Sequence, residues 1–221
     1  MKKSFPQVTL KFAQTLDGRI ATVAGDSKWI SSPESRRFAH KLRSQHDAVL
    51  VGINTVLKDN PRLDIRSVRG KNPFKVIVDN RLKTPLSAKL LKRQPDKTIF
   101  AVTKKADLRK IRRVEKLGAR VLIIEANRNG QVDLKILLKR LKELGIKRLL
   151  VEGGSKIITS FLKMRLVNRV VVIIAPRIIG QGLESVGVSL GNTKTRLTFV
   201  DFRVLESDDN IIVKAKVKVS R

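Results

Sequence analysis

Short apolar runs recur along this chain and alternate, through its middle, with segments whose apolar residues fall three and four apart. That alternation constrains the fold more than any other feature, because strands without polar alternation must be buried on both faces, and helices are what cover them. The strand-like runs are Val8–Phe12, Asp47–Gly52, Lys75–Asp79, Thr98–Val102, Val121–Ile124, Arg148–Val151 and Val170–Ile174. Between them, Leu108, Ile111, Val114 and Leu117 mark one crossover helix and Leu134, Leu137, Leu138, Leu141 and Leu144 another. Ser32-Pro33-Glu34 supplies a helix start, with proline in the first turn, for a helix running to about Gln45. The chain closes differently: Thr198–Val204 and Ile211–Val217 alternate partly and flank Ser207-Asp208-Asp209-Asn210, the pattern of an antiparallel hairpin. The expected architecture is α/β, a mostly parallel central sheet flanked by helices with an antiparallel C-terminal edge. With 221 residues and no repeat, low-complexity tract or linker, residues 1–221 are read as one domain.

Composition narrows the chemistry. The absence of cysteine excludes disulfides, thiolate nucleophiles and cysteine-ligated metal centres. His40 and His46 are the only histidines, and six residues apart on a helix they face different ways, so no shared metal is expected. The N-terminal Met1-Lys2-Lys3-Ser4-Phe5-Pro6 is basic without the apolar core of a signal peptide, and no run is long enough to span a bilayer, which points to the cytoplasm. The formal net charge of +29 attracts polyanions, so a basic nucleic-acid-binding protein is the alternative from another class. Against it stand scattered basic residues and only 4% aromatic residues, with one tryptophan and no tyrosine to stack bases. No specific nucleic acid and no membrane partner are expected.

Two strand ends run through glycine into a helix, a geometry that offers free N–H groups and a positive dipole end to a phosphate. They are Val51-Gly52-Ile53-Asn54-Thr55 and Val151-Glu152-Gly153-Gly154-Ser155, the latter followed by the Lys156–Leu162 helix. Neither spells a full dinucleotide fingerprint, and an ordinary tight turn reads the same residues. Both nevertheless fall at the carboxyl ends of strands, where ligands of open α/β sheets bind, and a dinucleotide along that edge accounts for both. No nucleophile elbow, Walker sequence or H-E-x-x-H helix occurs. Lys104, Lys105, Arg109, Lys110, Arg112 and Arg113 read as a solvated helix face. Arg43 and Arg66 lie near the expected ligand edge, where a guanidinium can grip a phosphate with two parallel bonds; a surface role is the alternative.

The segments Thr15–Ala21, Ser27–Ser32, Leu42–Ala48, Val51–Leu57, Asp59–Leu63, Val78-Asp79, Glu152–Gly154 and Ile174–Gly180 follow one another in the order of a known family. Together they resemble the pyrimidine reductases of riboflavin biosynthesis over nearly the whole chain. The resemblance implies a dihydrofolate-reductase-like fold, a homodimer, and NADPH-dependent reduction of the ribosyl group of a phosphorylated ribosylaminopyrimidine to a ribityl group. Without the zinc-deaminase segment of fused bacterial relatives, the chain is similar to the stand-alone archaeal and fungal reductases, which implies the diamino substrate. A reductase of the same fold acting on another heterocycle is the nearest rival.

Carried over by motif position, the resemblance implies cofactor contacts at Ala13, Trp29, Thr55, Asp59 and Asn80, and along Gly153, Gly154, Ser155, Lys156 and Ile157. It implies substrate contacts at Ser27, Arg43, Leu63, Arg66 and Glu152; Asn80 stands where relatives vary. The implied chemistry is opening of the ribosylamine to an imine and hydride delivery to C1′, in which positioning matters more than nucleophilicity. Lys11 and Glu152, at strand positions near the glycine turns, are the candidate catalytic residues for contacting the sugar and assisting proton movement; a structural or purely binding pair is the alternative.

Overall fold

The computed structural model describes residues 4–26, 32–186, 198–207 and 209–218. In chain order its elements are β1 (Gln7–Thr15), β2 (Arg19–Thr22), α1 (Pro33–Ser44), β3 (Ala48–Gly52), α2 (Ile53–Asp59), β4 (Phe74–Val78), α3 (Lys89–Lys92), a 3-10 turn (Pro95–Lys97), β5 (Thr98–Val102) and α4 (Leu108–Lys116). There follow β6 (Arg120–Ile123), α5 (Leu134–Glu143), β7 (Arg148–Val151), α6 (Ser155–Lys163), β8 (Arg169–Ala175), β9 (Gly182–Glu184), β10 (Phe199–Ser207) and β11 (Asn210–Val217). The chain divides into two compact units, one of Met1–Pro6 with Arg43–Leu149 and one of Gln7–Leu42 with Leu150–Arg221.

In the first unit β3, β4, β5 and β6 lie side by side and parallel, with Leu50 opposite Val76, Val76 opposite Ile99 and Phe100 opposite Val121. Every residue of β5 is buried, as an apolar strand covered on both faces requires. β6 is the outermost of the four and leaves Ile123 half exposed. The helices α4 and α5 start where aspartates accept main-chain N–H groups: Asp107 from Arg109, and Asp133 from Lys135 and Ile136. Ile111 and Val114 of α4 and Leu134, Leu137, Leu138 and Leu141 of α5 are buried as the spacing predicts. The predicted stripes fray at their ends: Leu108 opens α4, and Leu117 and Leu144 are the residues just past the two helices, all three exposed.

One buried cation was not legible from its neighbours. Lys75, in β4, is 1% exposed, and its Nζ donates to the carbonyls of Leu90 and Arg93 at the C-terminal end of α3. A four-residue helix leaves its carbonyls without intrahelical partners, and the ammonium satisfies two of them. Burial holds the pKa of Lys75 below the ordinary lysine value, partly opposed by Asp64 and Asp96.

In the second unit β1 and β8 are parallel, with Lys11 opposite Val171 and Ala13 opposite Ile173. β8 pairs antiparallel with β11, and β11 with β10, which is the expected C-terminal hairpin. Its register shifts between Val200 and Arg203, where Asp201 adopts a φ of +55°. β2 and β9 form a separate two-stranded antiparallel ribbon that the short runs Arg19–Thr22 and Gly182–Glu184 did not announce. Among the described residues no helix is long and apolar enough to cross a membrane.

Lys75→Ala removes a buried stem and leaves two carbonyls unpaired, and is expected to lower unfolding free energy by about 2–4 kcal/mol in urea titration. Lys75→Met, which keeps the stem's volume, is expected to lose less.

Candidate functional site

The first unit carries a cleft of about 360 Å³ at the carboxyl ends of its strands. Ile53, Asn54 and Leu57 of α2 form one side, Asp79, Asn80, Arg81 and Lys83 after β4 the floor, and Thr103 and Lys105 after β5 with the Asn129–Gln131 turn the other side. The floor is fixed by Asp79, 1% exposed, whose carboxylate accepts the N–H of Lys83 (2.8 Å) and both the N–H (2.8 Å) and hydroxyl (2.9 Å) of Thr84. The next residue ties three connections together. The carbonyl of Asn80 accepts from the N–H and hydroxyl of Thr103, and its side-chain oxygen accepts from the N–H of Val132 at 3.0 Å. With that oxygen engaged by a main-chain donor, the Asn80 amide carries its NH2 group on the other side.

The expected phosphate-gripping arginines meet in the same unit. Arg43, in the last turn of α1, donates from NH1 to the carbonyl of Asp64 at 3.0 Å, while Arg66 Nε lies 3.7 Å from Asp64 Oδ1. Leu63, 3% exposed, precedes Asp64 with a φ of +56°, a conformation that costs a branched side chain energy and fixes the course of the chain at this point. Thr55 is half-buried within α2; Asp59 ends that helix, and burial raises its pKa against the opposing charge of Lys58.

The second unit holds the sharper glycine turn. Gly154 has a φ of +58° and precedes α6 with no side-chain cap, an arrangement whose first main-chain N–H groups could receive an anion. Gly153 is dictated by contact instead: a Cβ there would stand 2.9 Å from Cβ and Cγ2 of Ile157. The Gly52 turn differs, since Gly52 is extended at φ −86° and needs no left-handed backbone. Lys11 and Ala13, on β1, and Glu152, between β7 and the glycine pair, are all partly exposed and belong to this unit. Ser155 turns its hydroxyl to the carbonyl of Glu184 in β9 (2.9 Å), and Lys156 and Ile157 continue the first turn of α6. Ser27 and Trp29 lie outside the described residues.

A role for Thr15–Arg19 beyond motif resemblance emerges here. Asp17 accepts the hydroxyl of Thr15 and the N–H of Gly180 (2.8 Å), and the Thr15 bond in particular holds its pKa below the ordinary value. Arg19 Nε donates to the carbonyl of Gly180, and its NH1 pairs with Glu184 at 3.0 Å. These contacts hold the 177–184 segment, whose last residue receives the Ser155 hydroxyl. Among the cleft residues, Arg81, Lys83, Thr103 and Lys105 escaped sequence reasoning, although each follows a strand end. Lys104 and Lys105 are not part of a helix face: Asp107 caps α4 and starts it at Leu108, leaving both in the preceding turn, where Lys105 lines the cleft.

A family model described as the RibD C-terminal domain matches residues 6–210. The riboflavin biosynthesis protein RibD of Aquifex aeolicus (strain VF5) is 50% identical over 180 residues, 81% of this chain and 49% of that protein. The 2,5-diamino-6-ribosylamino-4(3H)-pyrimidinone 5′-phosphate reductase of Methanothermobacter thermautotrophicus is 43% identical over 178 residues, 79% of this chain and 80% of that protein. The chain spans about half the length of the RibD proteins it matches. Among solved structures, RibD of Acinetobacter baumannii superposes with a TM-score of 0.86 at 29% identity, over 99% of this chain and 60% of that one. Dihydrofolate reductase from Enterococcus faecalis superposes with a TM-score of 0.57 at 8% identity, over 96% of this chain and 97% of that one, which shows a dihydrofolate-reductase-like fold.

Gly153→Ala is expected to destabilise the protein by about 1–3 kcal/mol through the clash with Ile157. Adding Ile157→Ala should recover part of that loss, read as positive coupling in a double-mutant cycle of thermal midpoints.

Proposed function

The chain belongs to the RibD C-terminal domain family, and on that premise we propose that it reduces the ribosyl group of 2,5-diamino-6-ribosylamino-4(3H)-pyrimidinone 5′-phosphate to a ribityl group with NADPH, in riboflavin biosynthesis. The observation that carries this reading is the convergence of Arg43 and Arg66 on Asp64. Two guanidinium groups brought to one turn concentrate positive charge there, and we assign them to the substrate's 5′-phosphate. The resemblance to the Methanothermobacter reductase, whose length this chain mostly covers, favours the diamino substrate over its deaminated counterpart.

The residues present fit a nicotinamide dinucleotide. The uncapped first turn of α6 offers N–H groups to a pyrophosphate, and Gly154 before it, at positive φ, has no side chain to obstruct one. Thr55, Asp59 and Asn80 complete the assigned cofactor contacts in the first unit, Ala13 adds one in the second, and Trp29 is assigned by motif position alone. When bound, NADPH supplies a hydride. The protein's part is to hold C1′ of the substrate where hydride can reach it and to manage protons. Ser27 and Leu63 contact the substrate, Arg43 and Arg66 anchor its phosphate, and Lys11 and Glu152 contact the sugar. As the ribosylamine ring opens, the ring oxygen takes up a proton and the amine nitrogen gives one up to become the imine; we assign Lys11 and Glu152 to the exchange of those protons. Hydride addition at C1′, with a proton returned to the nitrogen, would then yield the ribitylamine.

Arg66→Ala is expected to raise the substrate KM by about tenfold, the lower end for a charged hydrogen bond because Arg66 is half exposed, while leaving the KM for NADPH unchanged. An unchanged substrate KM in steady-state NADPH oxidation would reject Arg66 as a phosphate ligand. Offering the diamino and deaminated compounds separately tests the substrate: faster turnover of the deaminated one would reverse the assignment.

A further inference from the structure

We infer that Asp64 is a positioning residue for the substrate's phosphate and acts through Arg66: its carboxylate holds the guanidinium at Nε and so turns the terminal edge toward the anion. The inference rests on the assignment of Arg43 and Arg66 to the 5′-phosphate and deepens it.

The backbone around Asp64 is pinned. Leu63 before it is buried at a φ of +56°, and its own carbonyl accepts from NH1 of Arg43 at 3.0 Å. The N–H of Ile65 after it donates to Asn72 Oδ1 at 2.8 Å; Asn72 Nδ2 in turn donates to Gln94 Oε1, and the Asn72 carbonyl accepts from Lys97 Nζ. The carboxylate of Asp64, 9% exposed, therefore has a fixed place. The side chain of Arg66 is 50% exposed, and its Nε lies 3.7 Å from Asp64 Oδ1. An exposed arginine has rotamers to lose when it grips a ligand, and a fixed partner that already limits them reduces that loss.

The guanidinium is planar, so a carboxylate at Nε leaves the Nη1–Nη2 edge, which matches two oxygens of a phosphate. Arg43 and Arg66 depend on Asp64 in separable ways, the first on its main chain and the second on its side chain. The carboxylate has a second cation nearby: burial lowers the pKa of Lys75, and the charge of Asp64 opposes that shift. Lys75 is 1% exposed and spends its ammonium on the carbonyls of Leu90 and Arg93, so of these two cations Arg66 is the one that can meet a ligand. Arg43, Arg66 and Lys75 against one carboxylate leave the turn positive, and Asp64 can orient a cation there without making the place repel an anion.

The test is steady-state NADPH oxidation by the full chain with the diamino substrate, comparing Asp64→Asn, Asp64→Glu, Arg66→Ala and the double variant Asp64→Asn/Arg66→Ala. Asp64→Asn keeps the shape and the main chain but not the charge. It is expected to raise the substrate KM about fivefold, with kcat and the KM for NADPH within about twofold of the wild type. Asp64→Glu, which keeps the charge, should bring the substrate KM back to within about twofold. In the Arg66→Ala background, Asp64→Asn should change the substrate KM by less than about twofold, because the group it acts through is gone. Thermal midpoints measured alongside identify a loss of fold, and Asp64→Ser takes the place of Asp64→Asn if that variant does not fold. A substrate KM that falls in Asp64→Asn, as repulsion between carboxylate and phosphate alone would give, overturns the inference. So does an unchanged KM, or a rise that persists undiminished in the Arg66→Ala background, which a purely structural pairing with Lys75 would produce. If Arg66→Ala by itself leaves the substrate KM unchanged, the phosphate assignment falls and the inference with it.

Discussion

The Asp79 carboxylate sits almost wholly out of water and survives there because three main-chain and hydroxyl donors converge on it. A buried acid without such partners costs several kcal/mol, so the turn after β4 must keep the one conformation that supplies them. That conformation sets Asn80 beside Thr103 and Val132, and so ties the connections after β4, β5 and β6 into one network. The strand ends of the first unit therefore present a shaped surface rather than three independent loops. In the second unit Asp17 plays a comparable part by gathering Thr15, Ile179 and Gly180. In both units an aspartate holds main-chain N–H groups of a loop that follows a strand end.

Much of this was legible in the sequence because burial imposes patterns. Strands covered on both faces read as apolar runs, and β3, β4, β5, β7 and β8 stand within a residue of where those runs place them. The hairpin of β10 and β11 showed itself by alternation and by a polar turn. What stayed hidden depends on partners distant in sequence. Lys75 looks like any strand-edge lysine until the carbonyls of Leu90 and Arg93 are brought to it. The β2–β9 ribbon joins segments more than a hundred residues apart, each too short to carry a period. Gly153 reads as loop freedom, yet its constraint is the side chain of Ile157.

The candidate site was legible in proportion to how locally its residues act. Gly154 was expected in a turn from a strand into a helix, and it stands there with a φ of +58°. The convergence of Arg43 and Arg66 on Asp64 spans the chain between α1 and β4 and was expected only as two separate arginines near one edge. Lys105 was read into the solvated face of α4, because nothing in the run of basic residues marks where the Asp107 cap begins the helix. A net charge of +29 obscures such residues, since a cation that lines a cleft shares a sequence with many that face only water.

Hydride delivery to C1′ of a phosphorylated ribosylaminopyrimidine, as proposed for this chain, can be followed by isotope transfer. The protein would be incubated with the diamino substrate and NADPH deuterated at both C4 positions of the nicotinamide, and the product analysed by mass spectrometry. The account predicts a ribitylamino product carrying a single deuterium, located at C1′. A product without the label, or NADPH consumed with no reduced pyrimidine formed, would contradict it.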